Sequence, residues 1–447
     1  MNKNLVGKRI WVHALGCRTN QYEAEALASM LAMRGAVITE DLDSGIDVAV
    51  ILSCTVTATA DRKSRQLSRK IKRLFPESVL VVCGCWAQHT DRATADSMGI
   101  DMLVGSRGKS GIPDLLDDFL VHNGHTEIEP YGDIMVDHKW DPLFLEKNQF
   151  HTRSFIKIQD GCNHFCSYCV IPYVRGYPVS RDPDDILREI EHVVASGCRE
   201  VVLTGVHLGI FEKYGSLSLG DLVRRISEIE GLWRIRFGSL EPFAVTEDLL
   251  KVLADTPKFC RHLHLPLQSG DDGILQLMKR GYTGEEYLGT LDKVRNFLGD
   301  DVHISTDILV GFPGESETAF SNTLSLLERA DLGKLHIFPY SGRKGTPAFE
   351  MTGKVPHSVI DRRVHELLAF GEQCLVSYSN RWIGRPVSVL VEEGDGDSFE
   401  GLTPEYIRVR TVGNAEVNVM AKVVPTGISK DGLTAVPLHE DMAEGNG

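Results

Sequence analysis

Three cysteines stand close together in the middle of the chain, in the pattern Cys162-x3-Cys166-x2-Cys169. They follow a predicted strand that starts near Phe155. Cysteine thiolates are the usual ligands of iron–sulfur clusters, and three of them leave one iron of a [4Fe–4S] cluster open to bind and activate a small molecule. Zinc is the alternative, but a zinc site normally uses a second Cys-x2-Cys or a His pair downstream, and neither follows. The spacing favours an iron–sulfur cluster.

A second set of cysteines is dispersed along the sequence. Cys17, Cys54 and Cys85 each come just after one of the first three predicted strands. The carboxyl ends of neighbouring parallel strands lie at one edge of the sheet, where open α/β sheets bind ligands. We therefore expect these three thiols to meet there; three unrelated buried thiols are the alternative. Cys83 competes with Cys85 as the third ligand, but it lies inside its strand, so we expect it to face the core.

Three stretches of different sequence pattern position these cysteines. Residues 1–145 alternate apolar strands with helices, which predicts an α/β domain with a doubly wound parallel sheet. Residues 146–375 continue the alternation with six candidate strands, which predicts a partial (βα)6 barrel whose chemistry lies where the strands end. Residues 376–440 show short alternating runs broken by Gly and Asp, typical of a small all-β barrel. We expect the tail, residues 441–447, to be disordered.

The composition limits the class of protein. The 447 residues are 42% hydrophobic and 25% charged, as in ordinary globular chains. The sequence has no run of about 18 apolar residues, so no membrane span is predicted. No apolar segment follows the charged start, so no secretory signal is predicted. We therefore expect a cytoplasmic protein with no membrane partner, in which cysteines serve metals or catalysis more often than disulfides. The net charge of −14 argues against nucleic-acid binding by bulk charge alone, though not against a local basic patch.

The predicted helix at residues 61–75 carries such a patch. Its apolar residues Leu67, Ile71, Leu74 and Phe75 recur at helical spacing, so we expect them to form the buried face. Basic residues fill most of the remaining positions: Arg62, Lys63, Arg65, Arg69, Lys70, Lys72 and Arg73. An ordinary solvated face usually mixes both signs of charge. Seven basic residues against one acidic residue favour contacts with nucleic-acid phosphates.

The cysteine motifs resemble those of a known enzyme family. Cys162, Cys166 and Cys169 resemble the signature of radical S-adenosylmethionine enzymes. With the earlier cysteines and a terminal barrel similar to the TRAM domain, the chain resembles the methylthiotransferase family over nearly its whole length. Members act mainly on isopentenyladenosine in tRNA, on threonylcarbamoyladenosine in tRNA, or on a ribosomal protein aspartate. The chain is most similar to the threonylcarbamoyladenosine branch in these segments: LGCRTNQY at 15–22, CTVT at 54–57, DRKSRQ at 61–66, GCWAQ at 84–88, LTGVH at 203–207 and FPYS at 338–341. It departs from the common pattern at Ser53 and at Arg18-Thr19.

The resemblance implies two [4Fe–4S] clusters, S-adenosylmethionine and a defined reaction. The Cys162, Cys166 and Cys169 cluster would bind S-adenosylmethionine and cleave it to a 5′-deoxyadenosyl radical, which abstracts hydrogen from C2 of adenosine 37 in the tRNA anticodon loop. The cluster on Cys17, Cys54 and Cys85 would present the methylated sulfur that is inserted. Such a reaction needs an electron donor and a sulfur source. A monomer is the simplest expectation for a three-domain chain.

Contacts to S-adenosylmethionine are expected from residues at the ends of the barrel strands. The candidates are Tyr168, Gly205, Ser239, Glu241 and Gln268, each of which has an alternative role in a turn or cap. In the terminal barrel, Tyr406, Arg408 and Arg410 share a predicted strand beside an acidic loop, so we expect that barrel to position RNA rather than supply the main affinity. Two other hypotheses remain: the same chemistry on isopentenyladenosine or a ribosomal protein, and a non-enzymatic iron–sulfur protein that binds RNA and senses redox state.

Overall fold

The computed structural model describes residues 4–122, 133–146, 152–213 and 217–438. The predicted tail at 441–447 lies outside the described residues. No helix in the described part of the chain is long and apolar enough to cross a membrane.

The first part of the chain forms a five-stranded sheet in which every neighbouring pair of strands is parallel. Strands β1 to β5 are Arg9–Ala14, Val37–Thr39, Val48–Ser53, Val79–Gly84 and Met102–Val104. Their spatial order is β2-β1-β3-β4-β5. Helices α1 to α5 are Arg18–Met33, Ala58–Leu74, Cys85–Gln88, Arg92–Asp96 and Ile112–Val121, and a 3₁₀ turn spans Lys109–Gly111.

Alternate residues of β3 belong to two different cores. Val48 and Val50 pack in one hydrophobic cluster, whereas Ala49 and Ile51 pack in the other. Because side chains alternate between the faces of a strand, the sheet is covered on both sides. This confirms the predicted doubly wound α/β architecture.

The middle part contains six parallel strands in two groups. Strands β6 to β13 are Arg153–Lys157, Gln159–Asp160, Val179–Ser180, Glu200–Thr204, Arg234–Phe237, His262–His264, His303–Val310 and Lys334–Pro339. Strands β6, β9 and β10 form one sheet and β11, β12 and β13 another, and the parallel bridges Ile235–Phe259 and Ser239–His264 join β10 to β11. The result is the predicted partial (βα)6 barrel. The short strands β7 and β8 pair separately.

Helices surround this partial barrel. Helices α6 to α14 are Ile171–Arg175, Pro183–Ala195, Leu219–Ser227, Glu247–Ala254, Asp272–Met278, Gly284–Leu298, Glu317–Ala330, Pro347–Glu350 and His357–Asn380, with 3₁₀ turns at Leu208–Lys213 and Pro242–Ala244. Helix α14 runs through the expected domain boundary at residue 375.

The last part is a closed five-stranded barrel, as predicted. Strands β14 to β18 are Val387–Gly394, Ser398–Leu402, Arg408–Val412, Met420–Ser429 and Gly432–Pro437, in the order β14-β15-β16-β18-β17. Its core contains Val389, Val409 and Leu433, all fully buried.

The terminal barrel docks on the partial barrel at the amino ends of its strands. The Arg234 guanidinium, at the start of β10, donates to the carbonyl oxygens of Leu402 at 2.7 Å and Ser388 at 2.9 Å. The His303 ring, at the start of β12, lies 2.6 Å from the Glu405 carbonyl oxygen. This end of the partial barrel is therefore closed, and the carboxyl ends of the strands are left for chemistry.

Candidate functional site

The loop from Cys162 to Cys169 follows β7 and is fixed by backbone hydrogen bonds. The Cys162 N–H donates to the Gly176 carbonyl oxygen at 3.0 Å, and the Cys169 N–H donates to Cys166 at 3.0 Å. Gly161 turns the chain into the loop with φ +74°, and a Cβ there would lie 2.2 Å from the Tyr177 carbonyl oxygen. Burial raises the pKa of Cys169, and the charges of Cys166 and Cys162 raise it further. The three thiols therefore lie within electrostatic reach of one another.

Cys166 has two polar neighbours that favour its thiolate. Burial opposes ionisation, but a hydrogen bond from His164 and the charge of Arg280 outweigh it, so the pKa of Cys166 is lowered. The Arg280 guanidinium lies 3.4 Å from the Cys166 sulfur and bonds the Glu241 carboxylate at 2.5 Å. Glu241, a predicted contact to S-adenosylmethionine, is therefore ion-paired beside the triplet. Arg280 lies outside the cysteine motif, so the sequence pattern did not predict its role.

The three residues of the second triplet each lie at or just after the carboxyl end of a strand of the first sheet. Cys17 is the N-cap residue of α1, Cys54 follows β3, and Cys85 begins α3. A Cβ on Gly16 would lie 2.5 Å from the Cys54 sulfur, so the first two loops are in close contact. Burial raises the pKa of Cys54 to about 12, and the charges of Cys85 and Cys17 both contribute. Cys83 is fully buried in the hydrophobic core, as expected, which leaves Cys85 at the sheet edge.

A buried ionic network surrounds Cys85. The Arg175 Nε donates to the Cys85 sulfur at 3.2 Å, while its Nη1 bonds Glu23 and Asp160, each at 3.0 Å. Lys157 forms ion pairs of 2.6 Å with the same two carboxylates. Glu23 and Cys85 come from the first sheet domain, whereas the other three residues come from the partial barrel. The network therefore links the second triplet to the barrel.

A cavity of about 510 Å³ lies between the second triplet and the barrel interior. Two of the predicted cofactor contacts, Gly205 and Ser239, line it together with Cys17. A Cβ on Gly205 would lie 2.9 Å from the Gln159 carbonyl oxygen, so packing against Gln159 requires glycine there, whether or not a ligand does. The lining residues are Gly16, Cys17, Arg18, Thr19, Thr204, Gly205, Gly238, Ser239, His262, His264, Ser305, Asp307, Lys334, His336, Phe338 and Tyr406.

The other two predicted contacts have structural partners. Tyr168 packs edge-to-face on Phe312 with ring centroids 6.4 Å apart. Gln268 has φ +74°, and its N–H donates to the Asp307 carbonyl oxygen at 2.8 Å. Contacts of Tyr168 and Gln268 with S-adenosylmethionine stay predictions.

The basic helix is α2. Its exposed basic residues are Arg62, Lys63, Arg65, Arg69, Lys70 and Arg73. Two of the basic residues of the helix are already engaged by carboxylates: Lys72 pairs with Asp101 at 2.9 Å, and Arg65 pairs with Asp61 at 2.9 Å. The prediction that Leu74 belongs to the buried face is wrong: it is 50% exposed, since the buried face is centred on Ser64, Ser68 and Ile71 and Leu74 lies at its edge in the last turn.

Helix α2 begins beside the loop that follows β13. The Ala58 N–H donates to the Ser341 hydroxyl at 2.9 Å. The Arg343 guanidinium donates to the Thr55 hydroxyl at 2.5 Å and to the Asp61 carboxylate at 3.0 Å. The basic surface therefore starts at the carboxyl end of the partial barrel.

The terminal barrel does not present the expected row of Tyr406, Arg408 and Arg410. Tyr406 precedes β16, and its ring stacks on His262 with centroids 4.8 Å apart. Arg408 and Arg410 both pair with Glu400. Tyr406 thus contributes to the interface between the barrels, and the two arginine charges are balanced locally by Glu400 and by Asp431, which lies 3.4 Å from Arg410.

The two triplets offer suitable donors for iron–sulfur clusters. Each has three thiols and one arginine within hydrogen-bond distance of a sulfur, which stabilises a negatively charged thiolate–cluster assembly. In the described part of the chain, no three His, Cys, Asp or Glu side chains form a site for a single metal ion. A cluster makes a different demand, because each of its thiolates binds a different iron atom.

Comparison with protein families gives two matches. Residues 156–327 match the Radical SAM superfamily. Residues 9–105 match Uncharacterized protein family UPF0004. The two matched regions contain both cysteine triplets.

Named relatives cover nearly the whole chain. The "Threonylcarbamoyladenosine tRNA methylthiotransferase MtaB" of Bacillus subtilis is 34% identical over 94% of this chain and 93% of its own length. The protein of the same name from Thermotoga maritima is 32% identical, with 98% of each chain covered. The "tRNA-2-methylthio-N(6)-dimethylallyladenosine synthase" of Carboxydothermus hydrogenoformans is 34% identical over 95% of this chain and 98% of its own. Overall identity thus does not separate the two named activities.

A solved structure supports the fold. The radical S-adenosylmethionine methyltransferase TsrM from Kitasatospora setae, with cobalamin and a [4Fe–4S] cluster bound, has a TM-score of 0.57 at 14% identity. The similarity covers 77% of this chain and 74% of that one.

Proposed function

Since this chain belongs to the radical S-adenosylmethionine methylthiotransferase family, we propose that it converts N6-threonylcarbamoyladenosine at position 37 of tRNA to the 2-methylthio derivative. The observation that carries the proposal is the meeting of a second cysteine triplet with the interior of the radical barrel. Cys17 lines the same cavity as the strand-end residues Gly205 and Ser239. A substrate in that cavity would contact the second triplet at Cys17 and two of the residues predicted to bind S-adenosylmethionine.

The chain uses S-adenosylmethionine and [4Fe–4S] clusters, as its family does. We assign one cluster to Cys162, Cys166 and Cys169, and the other to Cys17, Cys54 and Cys85. When bound, these groups supply radical formation and the inserted sulfur, and the protein supplies orientation and exclusion of water. Electrons and replacement sulfur must come from outside the chain.

The residues around each triplet hold the ligands in place. Arg280 orients Cys166 while it is itself anchored by Glu241 and by the Pro266 carbonyl oxygen at 3.2 Å. Arg175 holds Cys85 from the barrel side. The terminal barrel closes the amino end of the strands, which keeps water from entering the cavity at that end.

The exposed basic face of α2 fits the tRNA backbone. Phosphate contacts position a nucleic acid, and base contacts then select the site. Because α2 starts beside the loop after β13, phosphates bound along it lead an anticodon loop toward the cavity. Three of the relatives that support tRNA as substrate are named for the threonylcarbamoyl or the dimethylallyl form of adenosine.

Nucleoside analysis of bulk tRNA tests the proposal. Cells lacking the gene should lose 2-methylthio-N6-threonylcarbamoyladenosine and accumulate its unthiolated precursor, as measured by mass spectrometry of digested tRNA. The wild-type gene should restore the nucleoside, and a gene carrying Cys162→Ala should not. Loss of the isopentenyl form instead would correct the substrate. Unchanged tRNA nucleosides would redirect the search to a ribosomal protein or to redox sensing.

A further inference from the structure

The inner part of the cavity carries more positive than negative charge. Lys334, at the start of β13, and Arg18, at the start of α1, both line it, and neither has a carboxylate within ion-pair distance among the described residues. The Arg18 guanidinium donates to the Tyr406 hydroxyl at 2.8 Å and lies over the Phe155 ring, 5.5 Å from its centroid. Its contacts are therefore to neutral groups.

Among the described residues, the one carboxylate that lines the cavity already has a partner. Asp307 lies 3.2 Å from the His264 Nε2. His336 is close by, with its ring centroid 5.5 Å from that of His264. Burial, together with the charges of His264, Lys334 and Arg18, lowers the pKa of His336 to about 4 against the opposing charge of Asp307. His336 is therefore neutral at pH 7 and adds hydrogen-bonding capacity without charge.

The cavity lining thus has two permanent cations and one carboxylate, which is already paired. This charge balance favours the binding of an anion. A partly enclosed cation without a counter-charge is costly, because burial weakens its hydration. A carboxylate that enters the cavity meets charge-assisted donors, which are the strong class of protein hydrogen bonds. The cavity volume of about 510 Å³ falls in the range of roughly 300–1,000 Å³ that is usual for small-molecule sites.

We propose that this cavity receives the N6 substituent of the modified adenosine and that Lys334 and Arg18 bind the threonyl carboxylate. This inference rests on the proposed function and supplies its substrate selectivity. An isopentenyl group would leave both cations unpaired in a space that it fills with hydrocarbon. Cys17 lines the same cavity, so the adenine ring attached to a substituent bound there lies next to the second triplet.

Two synthetic anticodon stem-loops test the inference on the reconstituted wild-type enzyme. One carries N6-threonylcarbamoyladenosine and the other the same nucleoside with its threonyl carboxylate converted to the amide. We expect kcat/KM for methylthiolation to be about 10–100-fold higher for the acid, the range typical of a charge-assisted hydrogen bond. Fluorescence anisotropy of labelled stem-loops should show the same preference in Kd. Equal rates and affinities for acid and amide would overturn the inference and leave the proposed function standing.

Variants of the enzyme test which residues bind the threonyl carboxylate. Lys334→Gln should lose most of the preference for the acid, and Lys334→Arg should retain part of it. Arg18→Gln provides an independent second variant should Lys334→Gln fold poorly. Lys293→Gln, at an exposed position of α11, is the matched control and should keep the full preference. If Lys334→Gln and Arg18→Gln both kept it, the carboxylate would be bound elsewhere. A wild-type enzyme that modifies only an isopentenyl stem-loop would refute the proposed function itself.

Discussion

The two cysteine triplets are built in different ways. Cys162, Cys166 and Cys169 lie in one short loop of the barrel, next to the ion pair between Arg280 and Glu241. The other three cysteines come from three strand ends, and Cys85 is held by an arginine from a different domain. The polar contacts described for the first triplet therefore all come from the barrel domain. The second depends on the interface between the sheet domain and the barrel, which lets mutations separate the two.

The largest difference between the two triplets should appear when one cysteine is removed from each of them. Cys162→Ala should abolish cleavage of S-adenosylmethionine, because three thiolates are needed to hold the cluster with an open iron. Cys54→Ala should retain cleavage and abolish sulfur insertion. The measurements are 5′-deoxyadenosine by chromatography and methylthiolated nucleoside by mass spectrometry, with iron content determined on each anaerobically reconstituted protein.

Cys83→Ala is the matched control for this pair, since Cys83 lies just two residues before Cys85 but faces the core. It should keep the iron content and both activities. Methylthiolation by Cys54→Ala at the wild-type rate would show that the second triplet is assigned wrongly. Loss of iron in Cys83→Ala would show that Cys83, rather than Cys85, is the third ligand of the second cluster.

The next effect concerns the interface itself. Arg175→Met should lower the free energy of unfolding by about 3–5 kcal/mol, since it leaves buried carboxylates with too little counter-charge. It should also shift the reduction potential of the second cluster more than that of the first. The measurements are urea denaturation of the anaerobic holoprotein and redox titration followed by electron paramagnetic resonance.

Arg280→Met is the corresponding change at the first triplet, and its effect on unfolding should be smaller. Its partner Glu241 is 22% exposed, whereas Glu23 beside Arg175 is fully buried. Equal destabilisation by the two variants would contradict the contrast between a local and an interdomain site.

The pH dependence of the Arg175→Met effect has a defined sign. Burial opposes ionisation of Glu23, but Arg175, Lys109 and Lys157 outweigh it and lower the pKa to about 2. A carboxylate with a depressed pKa contributes stability that is complete above its unfolded pKa, about 4.3, and is lost as the pH falls toward the folded value. The stability difference between wild type and Arg175→Met should therefore be constant near neutral pH and decrease below about pH 4.

The sequence predicted elements with strong patterns and missed those that depend on tertiary contacts. Strand β3 was found because its apolar run is continuous. Strands β2 and β5 were not, since each has only three residues. The first triplet is visible as a motif, and the second became visible once strand ends were placed side by side.

The polar groups around the triplets could not be found in this way. Arg175 and Arg280 have no periodic signature, and their importance comes from burial beside distant carboxylates. Lys334 and Arg18 are ordinary surface residue types in the sequence, and only the fold places both in one cavity. The face of α2 was partly misjudged because the small residues Ser64 and Ser68, rather than Leu74, pack against the domain.

The smallest predicted effect concerns tRNA affinity and also distinguishes the two triplets. Replacing Arg69, Lys70 and Arg73 together with Ala should weaken tRNA binding, because these exposed residues follow Cys54 on α2 and lie on its solvent face. The salt dependence of log Kd should become shallower by roughly 0.7–0.9 per lost phosphate contact. Cleavage of S-adenosylmethionine at the first triplet should continue without added tRNA.

Lys72→Ala is the control on the same helix. Its ammonium group is engaged by Asp101 at 2.9 Å and by the Ser78 carbonyl oxygen at 2.8 Å, so its removal should leave the salt slope unchanged and cost only stability. The slope is measured by fluorescence anisotropy of labelled tRNA at several salt concentrations. An unchanged slope in the triple variant would show that these residues of α2 do not contact the phosphates.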